Sequence, residues 1–160
     1  MILCIDIGNT NIVSAIWDGG KYTNSTRMES ADYDYISFNI KGLDKIAISS
    51  VVPYITQKYI NLSKNNNIAP FIINHNNCGI KLNVDNPKEV GADRICNVYA
   101  AKELIGKSTI IVDFGSATTY DVINDKGEFI GGAISPGIDV SAKNLFDRAA
   151  LLSETTFMFP

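Results

Sequence analysis

Ile2–Val13 reads ILCIDIGNTNIV, and the fold turns on how this stretch is read. Ile2 to Ile5 is an apolar run of the length and composition of a buried strand. It meets an acid, Asp6, and then the turn-forming cluster Gly8-Asn9-Thr10-Asn11. Apolar residues resume at Ile12, Val13, Ala15 and Ile16, so a second strand is expected. A strand, a tight turn and a strand with acid, glycine and hydroxyl at the turn make a cradle for phosphate. Gly8 lets backbone N–H groups come close to an anion. Asn9, Thr10 and Asn11 add side-chain donors. Asp6 repels phosphate directly, but it can hold a hydrated Mg²⁺ that binds it. The bland alternative, an ordinary polar hairpin turn, carries equal weight on this stretch alone.

A second copy shifts that balance. Thr109–Val122 reads TIIVDFGSATTYDV. An apolar strand again runs into Asp-x-Gly, with Ser116, Thr118 and Thr119 behind it, and a further strand from Tyr120. Asp6-Ile7-Gly8 and Asp113-Phe114-Gly115 stand in equivalent register. Internal repetition is a fold-level signal. Two acidic, glycine-containing hairpins imply two related halves facing one ligand. The expected fold class is α/β, a duplicated actin-like (ribonuclease H-like) architecture, the layout of the actin-like ATPase and sugar-kinase superfamily. That likeness alone does not fix a substrate.

The rest of the chain fits two such halves. Asp18-Gly19-Gly20 signals a hairpin into a third strand, Lys21–Arg27. Met28–Lys41 is ambiguous, with few helix formers, and Met28–Leu43 looks short of a helix. Lys45–Val52 reads as a buried strand stopped by Pro53, Tyr54–Asn65 as an amphipathic helix and Ala69–Ile73 as a short strand. Residues 74–86 are Asn-rich and irregular. A helix is expected within Pro87–Ile105, periodic from about residue 91 and closed by Gly106. Glu128–Ala133 is a further strand. Gly131-Gly132 and Pro136-Gly137 read as breaking regular structure, where backbone could approach a ligand closely or simply loop. Ile138–Leu152 returns to helical spacing, and its N-terminus could serve an anion site. The division expected is residues 1–86, with the phosphate loop, and residues 87–160, with the second Asp-x-Gly hairpin.

Bulk properties narrow the function classes. The 160 residues are 46% hydrophobic and 19% charged, values of a globular chain and not a disordered one. A net charge of −3 gives no footprint for nucleic acid. No apolar run reaches bilayer length, and strand residues from Ile2 leave no leader pattern, so no membrane and a cytoplasmic location are expected. Cys4, Cys78 and Cys96 are odd in number and lack a CxxC spacing, which favours reduced thiols over disulfides or zinc. The single histidine, His75, lies in the Asn-rich stretch with no nucleophile near it in sequence and reads as a loop residue.

Chemistry concentrates at Gly91-Ala92-Asp93-Arg94. A carboxylate beside a guanidinium at a helix start can be an ion pair and nothing more. It can also be a general base for a substrate hydroxyl with an arginine that orients substrate or phosphate. Asp6 and Asp113 compete for the base role, although the turn position suits them better to cations. Ser49-Ser50, ending a buried strand, read either as packing or as ligand contacts.

Taken together, DIGNTNIV (6–13), SSVVP (49–53), NPKEVGADRICN (86–97), DFGSATTYD (113–121) and GGAISPGI (131–138) resemble, in order and spacing, the motifs of type III pantothenate kinases. The likeness runs from Ile2 to about Leu152. It implies phosphorylation of pantothenate by ATP, the first step towards coenzyme A, by a homodimer using Mg²⁺ and a monovalent cation, K⁺ or NH₄⁺. It implies that Asp6, Ile7, Gly8, Asn9, Thr10, Asn11, Ile12 and Val13 form the ATP phosphate loop, with Ser116 a further ATP contact. Val84, Gly91, Ala92, Asp93 and Arg94 would hold pantothenate, with Asp93 the proton acceptor. Asp113 would ligate the monovalent cation. Three departures stand out. Ser116 replaces the usual threonine and keeps its hydroxyl. Val84 stands where an aromatic commonly lines the substrate pocket. Family members also continue well past the equivalent of Pro160, so the second half reads as incomplete. That shortness keeps a second reading in play, a non-catalytic or regulatory relative that binds nucleotide. A sugar or acetate kinase is disfavoured, because GADR and GGAISPG do not belong to those families.

Overall fold

The computed structural model describes residues 1–35 and 42–149. The first half is a five-stranded sheet in the order β3-β2-β1-β4-β5. Its strands are β1 (Ile2–Ile7), β2 (Asn11–Trp17), β3 (Tyr22–Glu29), β4 (Lys45–Ser50) and β5 (Pro70–Ile72). β1, β2 and β3 form an antiparallel meander, while β4 runs parallel to β1 and β5 parallel to β4. The parallel connection passes through helix α1 (Pro53–Asn65). Pro53 therefore does more than end the strand. It opens the helix from its first turn, where its missing N–H is not needed.

Strand alternation sets the layers. Leu3, Ile5 and Ile7 point to one face of β1, where they meet Ile12, Ile46 and Ile48 in a single apolar core. α1 seals that face with Ile55, Tyr59 and Ser63, which recur every fourth residue and are buried. Cys4 and Asp6 point the other way, into a cleft.

The second half repeats the meander and nothing more within the described residues. β6 (Thr109–Phe114), β7 (Ala117–Ile123) and β8 (Phe129–Pro136) form an antiparallel sheet in that order. Helix α2 (Ala92–Ile105) lies between the halves and touches β4, β6 and β7. It ends at Gly106, which is left-handed (φ 67°) and donates its N–H to the Lys102 carbonyl at 3.0 Å. Val98 of α2 joins Ile80, Ile123 and Phe129 in a second, smaller core. Leu82 and Val84 pack on that core, and Leu82 pairs with Phe129 as an isolated bridge. Helix α3 (Ile138–Arg148) follows β8. Two meanders of matching order, one completed by a strand–helix–strand unit, make the duplicated actin-like α/β fold.

One expectation is overturned. Gly131–Gly137 does not break regular structure, since β8 runs through it to Pro136. Opposite β7 the register slips between Asp121 and Ile123, and Gly131 takes φ 113° there. The glycines absorb a bulge within the strand instead of ending it. Of the ambiguous stretch 28–41, Met28 and Glu29 end β3, Ser30–Tyr35 is a short 3₁₀ helix, and 36–41 falls outside the described residues. Leu152 and the apolar residues 157–159 also lie outside them.

Candidate active site

Both Asp-x-Gly turns form as tight hairpins, and they face one another. In the first, the Gly8 N–H donates to the Asn11 carbonyl at 2.9 Å. A Cβ on Gly8 would stand 3.1 Å from that oxygen, so glycine keeps the turn tight. In the second, the Gly115 N–H donates to the Ala117 carbonyl at 3.0 Å. Thr10 Oγ1 and Ser116 Oγ meet at 2.5 Å across the gap. The first turn is also tied from behind. Ser30 Oγ donates to the Gly8 carbonyl at 2.7 Å, and the Ser30 N–H donates to the Thr10 carbonyl at 2.8 Å. Nothing in the sequence marks Ser30 as part of the turn, because its partners lie some twenty residues away.

Asp6 and Asp113, which lead into the two turns, line a cleft of about 410 Å³ whose walls also include Asp93, Ser49, Cys96 and Asn97. Asp6 ends the cleft face of β1. Ser49 Oγ donates to its Oδ1 at 2.8 Å, so this serine is a site contact and not mere packing. The cleft walls strip water from Asp6 and raise its carboxyl above the usual range. The negative charges of Asp93 and Asp113 push the same way, and the Ser49 hydrogen bond pulls back. Asp113 Oδ2 accepts from Asn97 Nδ2 at 2.8 Å, which fixes its orientation from α2. Burial also raises the Cys4 and Cys96 thiols, and all three cysteines are free.

Asp93 and Arg94 diverge from the first turn of α2. The Asp93 carboxylate folds over Gly91, and its Oδ1 accepts the Arg94 N–H at 2.7 Å. A Cβ at Gly91 would meet that oxygen and press Val51 at 3.3 Å, so a side chain here would displace the Asp93 carboxylate. Asp93 lines the cleft; Arg94 turns towards the second sheet. Its Nε and Nη2 donate to Asp121 Oδ1 at 2.8 and 2.5 Å. The guanidinium also lies over the Phe129 ring, 5.6 Å from its centre. Gly132 backs onto the same guanidinium, and Val84 packs beside Gly131. The site residues read from sequence therefore fall into two groups about α2. Asp6, Val13, Asp93 and Asp113 line the cleft, and Thr10 and Ser116 meet where the turns face each other, whereas Ile7 and Ile12 point away into the apolar core; Val84 and Arg94 lie against β7 and β8, and Gly91–Asp93 stand between. His75 lies in a turn and lines neither the cleft nor the Arg94 side.

Three carboxylates facing one cleft repel an unaccompanied polyphosphate, so its chemistry calls for a cation. Their hard oxygens suit Mg²⁺ or an alkali ion. Among the described residues no three acidic, histidine or cysteine side chains converge closely enough to cage a metal.

A family model described as type III pantothenate kinase matches residues 2–160. Among curated proteins, the type III pantothenate kinase of Moorella thermoacetica is 39% identical over an alignment of 176 positions that spans this whole chain and 69% of that protein. Among solved structures, a Baf family protein from Campylobacter jejuni, described as a transcriptional activator, superposes with a TM-score of 0.65 at 23% identity, over 99% of this chain and 67% of its own. The ethanolamine utilization protein EutJ from Carboxydothermus hydrogenoformans gives 0.51 at 15% identity, over 91% and 55%. At those identities the two structures bear on the fold alone.

Proposed function

Since the chain belongs to the type III pantothenate kinase family, we propose that it phosphorylates pantothenate at its primary hydroxyl with ATP, the step that opens coenzyme A synthesis. One observation carries the residue assignment. Asp93 stands at the start of α2 between the two-turn cleft and the Arg94 side, where a hydroxyl and a γ-phosphate can be brought together.

The phosphates lie against Gly8–Asn11 and Ser116. The pantothenate hydroxyl oxygen attacks the γ-phosphorus, the bond to the β-phosphate oxygen breaks, ADP leaves, and the hydroxyl proton passes to Asp93 Oδ2. Oδ1 is already held by the Arg94 N–H, so Oδ2 is the oxygen left for this role. Mg²⁺ would sit near Asp6 through water, and K⁺ or NH₄⁺ at Asp113; such cations neutralise charge on the transferring phosphoryl group. Catalysis of this kind is mainly positioning and electrostatics, which two rigid turns and a helix terminus provide. Val84, Gly91, Ala92 and Arg94 form the substrate side, and the functional division of the chain falls near residue 86. No helix among the described residues is long and apolar enough to cross a membrane. We place the enzyme in the cytoplasm, as a homodimer.

The test is ADP release from MgATP with K⁺, with and without pantothenate. Asp93→Asn is expected to lower kcat by roughly 10²–10⁴-fold, the usual contribution of a general base, with ATP binding kept. Equal turnover in the variant would remove Asp93 from this role. A second reading, a nucleotide-binding relative without turnover, draws on the apolar surface left open on the second half. ATP binding by calorimetry without any pantothenate-dependent turnover would favour it.

A further inference from the structure

We propose that Asp121 is a positioning residue for the substrate side, acting through Arg94; this rests on the pantothenate kinase reading. Asp121 lies on β7 with no solvent exposure. A carboxylate so placed has lost its water and is tolerated only when paired and hydrogen-bonded. Its Oδ1 takes both Arg94 Nε and Nη2, and its Oδ2 takes Thr119 Oγ1 at 3.4 Å. An apolar pair of equal volume would often hold two elements together as well as a buried ion pair does. The chain nonetheless keeps a buried charge here, paired with the arginine that follows the proposed base.

The pair leaves Arg94 with little freedom. Two bonds fix one edge of the guanidinium, which lies over the Phe129 ring with Gly132 close to its Nη2. A Cβ at Gly132 would stand 3.1 Å from Nη2, so the glycine makes room for this arrangement. Nη1 has no partner among the described residues. It is a charged donor on a guanidinium held in one place against Gly132, next to the Gly131–Val84 contact. An unpinned arginine would have to be ordered when an anionic substrate binds, and pinning removes that loss beforehand. Asp121 thereby sets where the substrate-side cation stands relative to Asp93.

The test compares Asp121→Asn with the unsubstituted protein in the ADP-release assay, varying each substrate. The asparagine keeps the shape and removes the charge. The KM for pantothenate is expected to rise about tenfold, the size of one lost charged hydrogen bond, with the KM for ATP and kcat within about threefold. In an Arg94→Ala background, adding Asp121→Asn is expected to change nothing further, because the aspartate acts only through the arginine. Equal effects on both substrates, an unchanged KM for pantothenate, or additive effects in the double variant would overturn the proposal. Should Asp121→Asn fail to fold, Thr119→Val loosens Oδ2 with the charge kept. It is expected to give a smaller rise in the same KM, and no rise would overturn the proposal. Absence of pantothenate-dependent turnover in the unsubstituted protein would sink the kinase reading itself, a result distinct from all of these.

Discussion

At the scale of single residues, glycines and neighbours of opposite aim organise the site. Gly132 has no space for a side chain, because a Cβ would overlap the Tyr120 carbonyl and crowd Arg94. Gly132→Ala must therefore push β8 from β7, and it is expected to destabilise by about 1–3 kcal/mol, readable in urea melts. Gly19 offers the contrast. It has positive φ, 109°, which Gly132 lacks, but nothing within 4 Å of a Cβ, so a substitution there is opposed by backbone strain alone. Ser116 meets Thr10 through its hydroxyl. Ser116→Thr is expected to keep the KM for ATP within about twofold, whereas Ser116→Ala should raise it several-fold, about the worth of one neutral hydrogen bond. Initial-rate measurements separate the two.

At the scale of elements, the segment leading into α2 is fastened to the β7–β8 hairpin. Lys81 Nζ pairs with Glu128 Oε1 at 2.7 Å, and Asn124 Nδ2 donates to Oε2 at 3.0 Å. These partners hold the Glu128 carboxyl below its ordinary value, the Lys81 hydrogen bond first and that from Asn124 next. A carboxyl depressed in the folded state adds stability above its unfolded pKa and loses it as pH falls through the folded value. Glu128→Gln should therefore lower Tm slightly at neutral pH, and the difference should vanish under acid conditions where both forms are neutral. Melting curves at the two pH values check the sign. A constant difference would show that the loss is one of packing. The alternation of β1 and the i, i+4 spacing of α1 belong to this scale too, and both are legible from sequence. The β8 bulge is not, because a glycine pair signals a loop as readily as a bulged strand.

At the scale of the whole molecule, the internal repeat allows a direct comparison. Placing Asp113 on Asp6 matches Leu3, Ile5 and Ile7 with Ile110, Val112 and Phe114. The first three are at most 3% exposed beneath α1, while the second three are 67%, 43% and 69% exposed. Tyr120 faces the same side, and α3 covers only part of it, leaving a groove of about 390 Å³ lined by Phe114, Tyr120 and Leu145. The outer edge of β6 carries no paired strand among the described residues, where β1 carries β4. Apolar surface beside an open strand edge favours association. Sedimentation at micromolar concentration should show species larger than a monomer. Ile110→Asn with Phe114→Asn should shift them towards monomer with little loss of Tm, since neither side chain is in a core. Monomer alone from the unsubstituted protein would refute the expectation.

The sequence by itself determined most of the strands and helices, their order, the two Asp-x-Gly turns and the GADR helix start. Each is a local pattern, a period of two or 3.6 residues or a turn chemistry held within about ten positions. Only the tertiary structure decided that Thr10 meets Ser116 and that Asp6, Asp93 and Asp113 share one cleft. It alone turned Arg94 away from that cleft onto Asp121, anchored the first turn through Ser30 and ran β8 through its glycines. These facts join residues twenty to a hundred positions apart. They follow from how α2 packs between two twisted sheets, which no stretch of the chain encodes alone.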